Sequence, residues 1–514
     1  MSLLSSLALL ASLALVAVSH AACIASGDAH TINSALQSGG SGAVVQLCPS
    51  SVFTISETIQ FTAPNQELST QGYPTDGTRA KAVIAPGSNI TSAVWGRWTS
   101  GVKVRNLHID GNRPNAGVFG GDALVEMGGG AEGQVVSHNV ITNTRSWSCL
   151  HYIGSGQDNN PCRGGTVTQN TIGPCGQEGT DSNGNGLWAD GISFECVNSV
   201  VSSNNITGPT DGGIVIFGSP GSQFLDNIIT SSSTQLGFGA INMVDPSYGG
   251  NYSHVVVSGN TIIGQGSTGL FNLGIGIGNQ VWSNQHPNPY FGPATITNNN
   301  FIGHIGFSIV INGWRDGITV TGNDISQITT PSSTFADAGP CQPQVQTSFN
   351  ANNQLVVYEP SISGPSTLQS NFISVPQNAT NWLCLNHPLP SSKTFAAGTL
   401  SVNGRTSTVV DRSHFHVQIQ GDGNLVGLDT TAGVWTVKWA SGPQSSHCGA
   451  DGSSCVLSFG ATGDLAVSDA VGRLWHSDTA GSGATVVFEN EAPYLQVKDG
   501  NGAVLWSIAD GVRT

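Results

Sequence analysis

Charge is what this sequence has least of. Only 9% of its 514 residues are Asp, Glu, Lys or Arg, and Lys plus Arg number 16. Exposed helix faces are built from long charged side chains, so their scarcity argues against a helical protein. With a formal net charge of −15, the chain has no basic reserve to displace counterions from nucleic acid or an anionic membrane, and neither is expected as a partner. Beyond the first twenty-one residues no apolar run approaches membrane-spanning length. Cys-x-x-Cys pairs are missing, as is any dense Asp/Glu ladder, so no metal or cofactor is expected. Gly, at 68 residues, together with Ser, Thr and Asn fills the polar positions, and that composition favours sheet and turn.

The opening stretch, LLSSLALLASLALVAVSHAA, is apolar and ends small-x-small at Ser19-His20-Ala21, which predicts a signal peptide over 1–21 and secretion. Ten cysteines and four N-x-[ST] acceptors, at Asn89, Asn205, Asn251 and Asn378, agree with an oxidising compartment. Neighbour pairing gives Cys23–Cys48, Cys149–Cys162, Cys175–Cys196, Cys341–Cys384 and Cys448–Cys455, one of several connectivities that the sequence allows.

From Val102 onward one pattern recurs: an apolar residue, two spacers, Asn, one spacer, Ile. It stands at Val136/Asn139/Ile141, Val167/Asn170/Ile172, Val201/Asn204/Ile206 and Phe224/Asn227/Ile229. It returns at Val257/Asn260/Ile262, Val320/Asn323/Ile325 and Leu368/Asn371/Ile373, with Asn299 or Asn300 as a less regular copy. Such short punctuated units leave no room for helical crossovers and predict the coils of a right-handed parallel β-helix, with loops inserted where the interval lengthens. Thr31–Leu36 reads as a short amphipathic helix before the strand Ala43–Leu47, a cap for the first coil. Aligned strands in later coils include Cys149-Leu150-His151-Tyr152, Asp190-Gly191-Ile192-Ser193-Phe194, Gly213-Ile214-Val215-Ile216 and Ala240-Ile241-Asn242-Met243. With Ile192 and Phe194 inward, period-two alternation turns Ser193, Glu195, His151 and Asn242 onto one outer face.

Two Asp-Gly steps, at Asp190 and Asp211, lie twenty-one residues apart, one coil by this count. Stacked coils would set the two carboxylates side by side, about 5 Å apart. Adjacent carboxylates push their pKa values apart, leaving one acid and one base, as glycosidic cleavage requires. Asp-Gly also makes turns, as at Asp316-Gly317. Glu195 joins the pair as a candidate catalytic carboxylate. His151, Trp188, Asn242 and Arg315 are candidate substrate-binding residues, and Asp245 is either a groove acid or the start of a turn. Arg145, Arg163 and Arg315 are the bases that a lyase would need. The tryptophans at 95, 98, 147, 188, 282 and 314 are candidates for stacking on sugar rings.

After Leu383 the pattern stops. Residues 22–385 are assigned to the β-helix, 386–394 to a linker and 395–514 to a second all-β domain. That last segment repeats three times, each unit ending in Trp: Gln420 to Val426 before Trp435, Gly463–Val467 before Trp475, and Tyr494–Val497 before Trp506. It resembles the bulb-type mannose-binding lectins, whose Gln-x-Asp-x-Asn-x-Val-x-Tyr motif is matched by Gln420, Asp422, Asn424 and Val426, with Leu428 in place of Tyr. The resemblance implies a small β-prism with one mannose site. The longer part looks like the pectin-lyase-type fold of secreted fungal proteins and, more narrowly, is similar to polygalacturonases. Asp190 and Asp211 match two of that family's acids; Trp188 stands for its Asn, Gly212 for its second paired Asp, and its His-Gly and Arg-Ile-Lys steps are missing. Together these point to a secreted protein acting on a polysaccharide or glycan: a glycoside hydrolase with Asp211 as acid and Asp190 as base. A polysaccharide lyase and a non-catalytic carbohydrate-binding wall protein are the alternatives.

Overall fold

Short β-branched triplets dominate the chain, and each pairs in parallel with the triplet of the next coil. Val135–Ser137 lies between Lys103–Arg105 and Thr166–Thr168, with Val136 in register with Val104 and Val167. Repetition of this pairing builds an 11-stranded sheet from Val44–Leu47 to Ser366–Leu368. Two further faces run alongside it, one through Val140–Thr142 and one through Ser148–Ile153. They merge into one 20-stranded sheet because Asn300–Ile311 passes through both. The result is a parallel β-helix, right-handed as parallel crossovers are. The computed structural model describes residues 23–154, 161–181, 185–265, 270–282, 288–329, 345–346, 355–375, 382–386, 392–404, 408–411, 415–429, 436–442, 444–449, 453–489 and 492–508. The expected signal peptide, Cys341, Asn378 and Trp435 fall outside these residues.

Inward residues of successive coils stack into columns. Val104, Val136, Val167, Val201, Phe224, Val257, Ile296 and Val320 form one, all fully buried. Each such side chain contributes about 1.5–3 kcal/mol by leaving water. At the turn beside this column runs a ladder of asparagines: 139, 170, 204, 227, 260, 299 and 323. Each amide nitrogen donates to the next rung's carbonyl and to a backbone carbonyl of the preceding coil. Asn204 Nδ2, for example, reaches Asn227 Oδ1 at 2.9 Å and Val167 O at 3.0 Å. Each side-chain oxygen also accepts the backbone N–H of the previous rung. Asn299, not Asn300, belongs to the ladder, and its last rung is Gln369, whose Oε1 accepts from the backbone N of Asn323; Asn371 only accepts from Gln369.

The first coil is capped as expected. The helix Ala29–Gly39 buries Ala29, Ile32 and Leu36, and Asp28 and Thr31 close a reciprocal capping box at its start. Disulfides follow coil stacking rather than sequence neighbourhood. Arg163 bridges Val197 in the adjacent coil, so Cys162 meets Cys196, while Cys149 bonds Cys175; the expected Cys149–Cys162 and Cys175–Cys196 pairs are corrected accordingly. Cys23–Cys48 and Cys448–Cys455 are as expected.

Toward the C-terminus, three four-stranded antiparallel sheets each take three strands from one repeat and one from the segment 392–411. Trp439, Trp475 and Trp506 meet edge to face at 5.3–5.7 Å in their shared core. Trp439 holds the position expected of Trp435, because it pairs with Gly427 as Trp475 pairs with Val467 and Trp506 with Val497. Ser392–Ala396 is already a strand of this unit, so it begins inside the expected linker.

Asn204→Leu leaves the Asn170 N–H buried without an acceptor and removes the side-chain donor to the Val167 carbonyl, and is expected to cost on the order of 3 kcal/mol in denaturant unfolding, against almost none for the exposed Asn371→Ala. Peptide mapping without reduction should recover Cys149 linked to Cys175 and Cys162 linked to Cys196.

Candidate active site

One outer face of the β-helix gathers most of the candidate residues. At the start of its strands two consecutive positions turn inward: a side chain added at Gly191 would strike Ile206, and Ile192 itself lies in the core. Asp190 therefore points outward. The pairing of Ile192 with Ile214, extended two residues back, sets Asp190 beside Gly212. Asp211 stands one position earlier, so the carboxylates are not stacked directly as expected, and the 5 Å spacing does not apply. Gly212 has to be glycine: a Cβ there would lie 2.2 Å from Val215, 3.0 Å from Asn242 Nδ2 and 3.1 Å from Asp190 Oδ1. Its N–H donates to Asp190 Oδ1 at 2.9 Å, and the Ser193 hydroxyl reaches Asp190 Oδ2 at 2.7 Å and Ser148 Oγ at 3.0 Å.

Neither Asp190 nor Asp211 has the left-handed backbone of a turn residue, whereas Asp316 does, at φ +66°. Asp316-Gly317 is thus a left-handed turn, and Asp190-Gly191 and Asp211-Gly212 are not. Burial holds the Asp190 carboxyl well above its ordinary range, and the Asp211 charge pushes it further. Burial raises Asp211 to about 6. Asp245 is pushed up to about 7 by burial and by the charges of Asp211 and Glu195. Its backbone is held by Tyr252, whose hydroxyl accepts the Asp245 N–H and donates to the Ile216 and Asp245 carbonyls. Glu195 is raised by burial as well.

A polar column crosses the same face. In register it runs Glu126, His151, Ser193, Val215, Asn242. Glu126 Oε1 lies 2.7 Å from His151 Nδ1 and also accepts the Ala123 N–H at 2.6 Å. Several side-chain atoms here are buried without a hydrogen-bond partner among the described residues: Glu126 Oε2, His151 Nε2, Glu195 Oε2, Asn242 Oδ1, Tyr248 OH, Trp188 Nε1 and Arg97 Nε. Buried polar atoms are rarely left so, and their concentration on one face marks a site. Sequence reasoning missed Glu126, Arg97 and Tyr248. Glu126 was within reach, since alternation from Val125 places it opposite His151.

Beyond Asn242 the column becomes Gly276, Val310 and Val356 and is covered by Trp382 and Leu383, whose carbonyls accept from Asn272. The face is thus open toward the N-terminal coils. There Trp147 is 44% exposed and stands edge-on to His151 at 4.1 Å. Trp188 packs on Phe238, Trp98 is exposed, and Trp314 is core.

The three arginines expected of a lyase are each engaged with a neighbour. Arg315 pairs with Asp316 and covers the Phe291 ring at 4.2 Å; no described contact joins it to the carboxylates. Arg163 faces Glu132, and Arg145 spends its guanidinium on the carbonyls of Ser88, Ile90, Ala116 and Gly117. In the C-terminal unit the matched quartet is largely turned on itself. Asn424 Oδ1 accepts from Gly442 N and Ser441 Oγ, its Nδ2 reaches Gln420, and Asp422 accepts the Asn424 N–H. Asp464 holds Ser477 and Thr479 the same way in the second repeat, and Val426 is buried.

Neither a protein-family model nor a curated protein matches the chain. Among solved structures it is similar to a mannuronan C-5 epimerase A-module from Azotobacter vinelandii, at TM-score 0.39 and 15% identity over 69% of this chain and 97% of that one. It is also similar to an endo-xylogalacturonan hydrolase from Aspergillus tubingensis, at TM-score 0.36 and 11% identity over 71% and 97%. Over 24% of its length it is similar to the whole of a monomeric mannose-binding lectin from Gastrodia elata, at TM-score 0.17 and 19% identity. No residue role is carried over from these likenesses.

Asp245, raised in the fold to about 7, favours the folded state fully below about pH 4, and that contribution is lost as pH rises toward 7. Asp245→Asn should therefore match the wild type near pH 4 and be more stable by on the order of 4 kcal/mol at pH 8, measured by urea unfolding at the two pH values.

Proposed function

We propose that this face cleaves glycosidic bonds by acid–base catalysis. The observation that carries the reading is the set of neighbouring carboxylates, Asp190, Asp211 and Asp245, all raised and lying among unpartnered polar atoms. Such a set holds a proton near neutral pH while one member ionises, the condition for general acid and general base to coexist. The order of the shifts reverses the roles expected from the sequence. Asp190, held highest, keeps the proton and serves as acid; Asp211, at about 6, ionises and activates water. The Ser193 hydroxyl suits either state of Asp190, since it donates to the carboxylate or accepts from the acid.

A lyase would need an unpaired base; Arg145, Arg163 and Arg315 are each engaged, and Arg97 faces Glu126 at 3.9 Å. The C-terminal unit enters the proposal as a tether on glycan, raising local substrate concentration. In its matched quartet, the Gln420 amide nitrogen and one Asp422 oxygen are the polar atoms that the internal bonds leave over. Secretion and the boundaries of the two domains belong to the same proposal.

The test is digestion of neutral and acidic polysaccharides, following reducing ends and unsaturated products for wild type, Asp190→Asn and Asp211→Asn. Release of reducing ends without unsaturation, reduced about a thousandfold in each variant, is the expected result. Unsaturated products that survive both substitutions would replace hydrolysis with elimination. The acid limb of the kcat/KM profile should have its midpoint near pH 6, the value at which Asp211 gains its proton.

A further inference from the structure

A cleft of about 470 Å³, within the ~300–1,000 Å³ usual for small-molecule sites, opens beside residues 185–188, just before the strand Asp190–Phe194. Trp147, Trp188, Phe119, Arg113 and Arg145 line it. Its wall is tied to the strand that carries Asp190: Trp188 stands two residues before Asp190, and the Asp190 N–H donates to the Trp147 carbonyl at 2.8 Å. The Trp147 indole N–H is bound to the Gly121 carbonyl at 2.9 Å, which fixes the ring while leaving it 44% exposed. Phe119 is exposed beside it.

Both cations of the cleft are turned away from a ligand. Arg145 is 3% exposed and donates to four backbone carbonyls, while Arg113 donates to the Leu187 carbonyl at 2.7 Å and the Thr144 carbonyl at 3.4 Å. An anionic sugar in this cleft would lie beside Asp181, which also lines it, and neither guanidinium of the lining has a free fork for its carboxylate; Arg97, on the carboxylate face, already faces Glu126 at 3.9 Å. Aromatic faces instead suit the apolar C–H face of a pyranose ring, whose hydroxyls stay at the rim. On the far side of the carboxylates Trp382 and Leu383 cover the face, so a bound chain runs over the tryptophans.

We infer that this cleft is a binding subsite for an uncharged sugar residue, stacked on Trp147 with Phe119 beside it, and that the substrate is a neutral polysaccharide rather than a polyuronate. The inference deepens the glycosidase proposal and rests on it.

The experiment is calorimetric titration of the full chain carrying Asp211→Asn, so that binding is measured without turnover. The probes are hexasaccharides of cellulose, xylan, mannan and α-glucan, set against oligogalacturonate and oligomannuronate. The expected result is saturable binding of at least one neutral series, weakened about tenfold when Trp147→Ala is added and largely kept by Trp147→Phe. No uronate series should bind as tightly. The Trp147→Phe variant and the unfolding midpoints guard against a collapsed fold. Tighter binding of a uronate, no binding of any neutral series, or neutral binding indifferent to Trp147→Ala would each overturn the subsite; the last is what binding through the C-terminal unit alone would give. The two readings fail separately: hydrolysis of a polyuronate that depends on Asp211 would sink the neutral subsite and leave the glycosidase, whereas Trp147-dependent binding of a neutral sugar by a chain that hydrolyses nothing would do the reverse.

Discussion

Parallel hydrogen bonding between coils, locked at one corner by the asparagine ladder, is the constraint on which everything else depends. Each rung satisfies the backbone of its neighbour, so no coil can slip without stranding several buried amides at once. The spacing of every outward residue is thereby set by the inter-strand distance and by its place within the coil, not by its own contacts. Carboxylates that would repel one another in a flexible loop are held together on adjacent coils because the ladder and the stacked core behind them are stable enough to bear it.

The same rigidity explains why polar atoms can be left unpartnered on one face. Glu126, His151, Glu195 and Asn242 are each at most 4% exposed, yet each keeps an atom without a hydrogen bond. Such atoms cost stability, and they collect where the fold can tolerate them, beside a cleft open to the N-terminal coils. Gly212 belongs to this arrangement. Where a polygalacturonase-like pattern would have an acid, this chain has the one residue that lets Asp190 and Asn242 close on the same space, and the third carboxylate comes from Asp245 on the next coil.

Much of this was legible in the sequence because a β-helix repeats its physics. Asn recurring between an apolar residue and Ile announced the coil, and the structure shows those amides stacked into the ladder. Asp190 and Asp211 stood out by spacing, as two Asp-Gly steps twenty-one residues apart. What escaped was whatever depends on three-dimensional neighbours rather than on period. The cysteines pair across coils; Glu126 acts through a histidine twenty-five residues away; Arg145 and Arg163 turn out to be engaged. The coil here is twenty-two residues long, Ile192 pairing with Ile214, so taking the twenty-one residues between the two Asp as one coil misplaced Asp211 by one position. Within the C-terminal unit the four matched residues were found, but their inward hydrogen bonds could not be read from spacing alone.

The central claim is that these carboxylates keep protons at a pH where ordinary ones have lost them. Infrared difference spectroscopy of the carboxylic acid C=O stretch, with the full chain titrated from about pH 4 to 8, observes this directly. The account predicts an acid signal that persists above about pH 6, part of it removed by Asp190→Asn and part by Asp245→Asn. If every carboxyl has ionised by about pH 5, as unperturbed groups do, the site holds no acid and the proposed chemistry is contradicted.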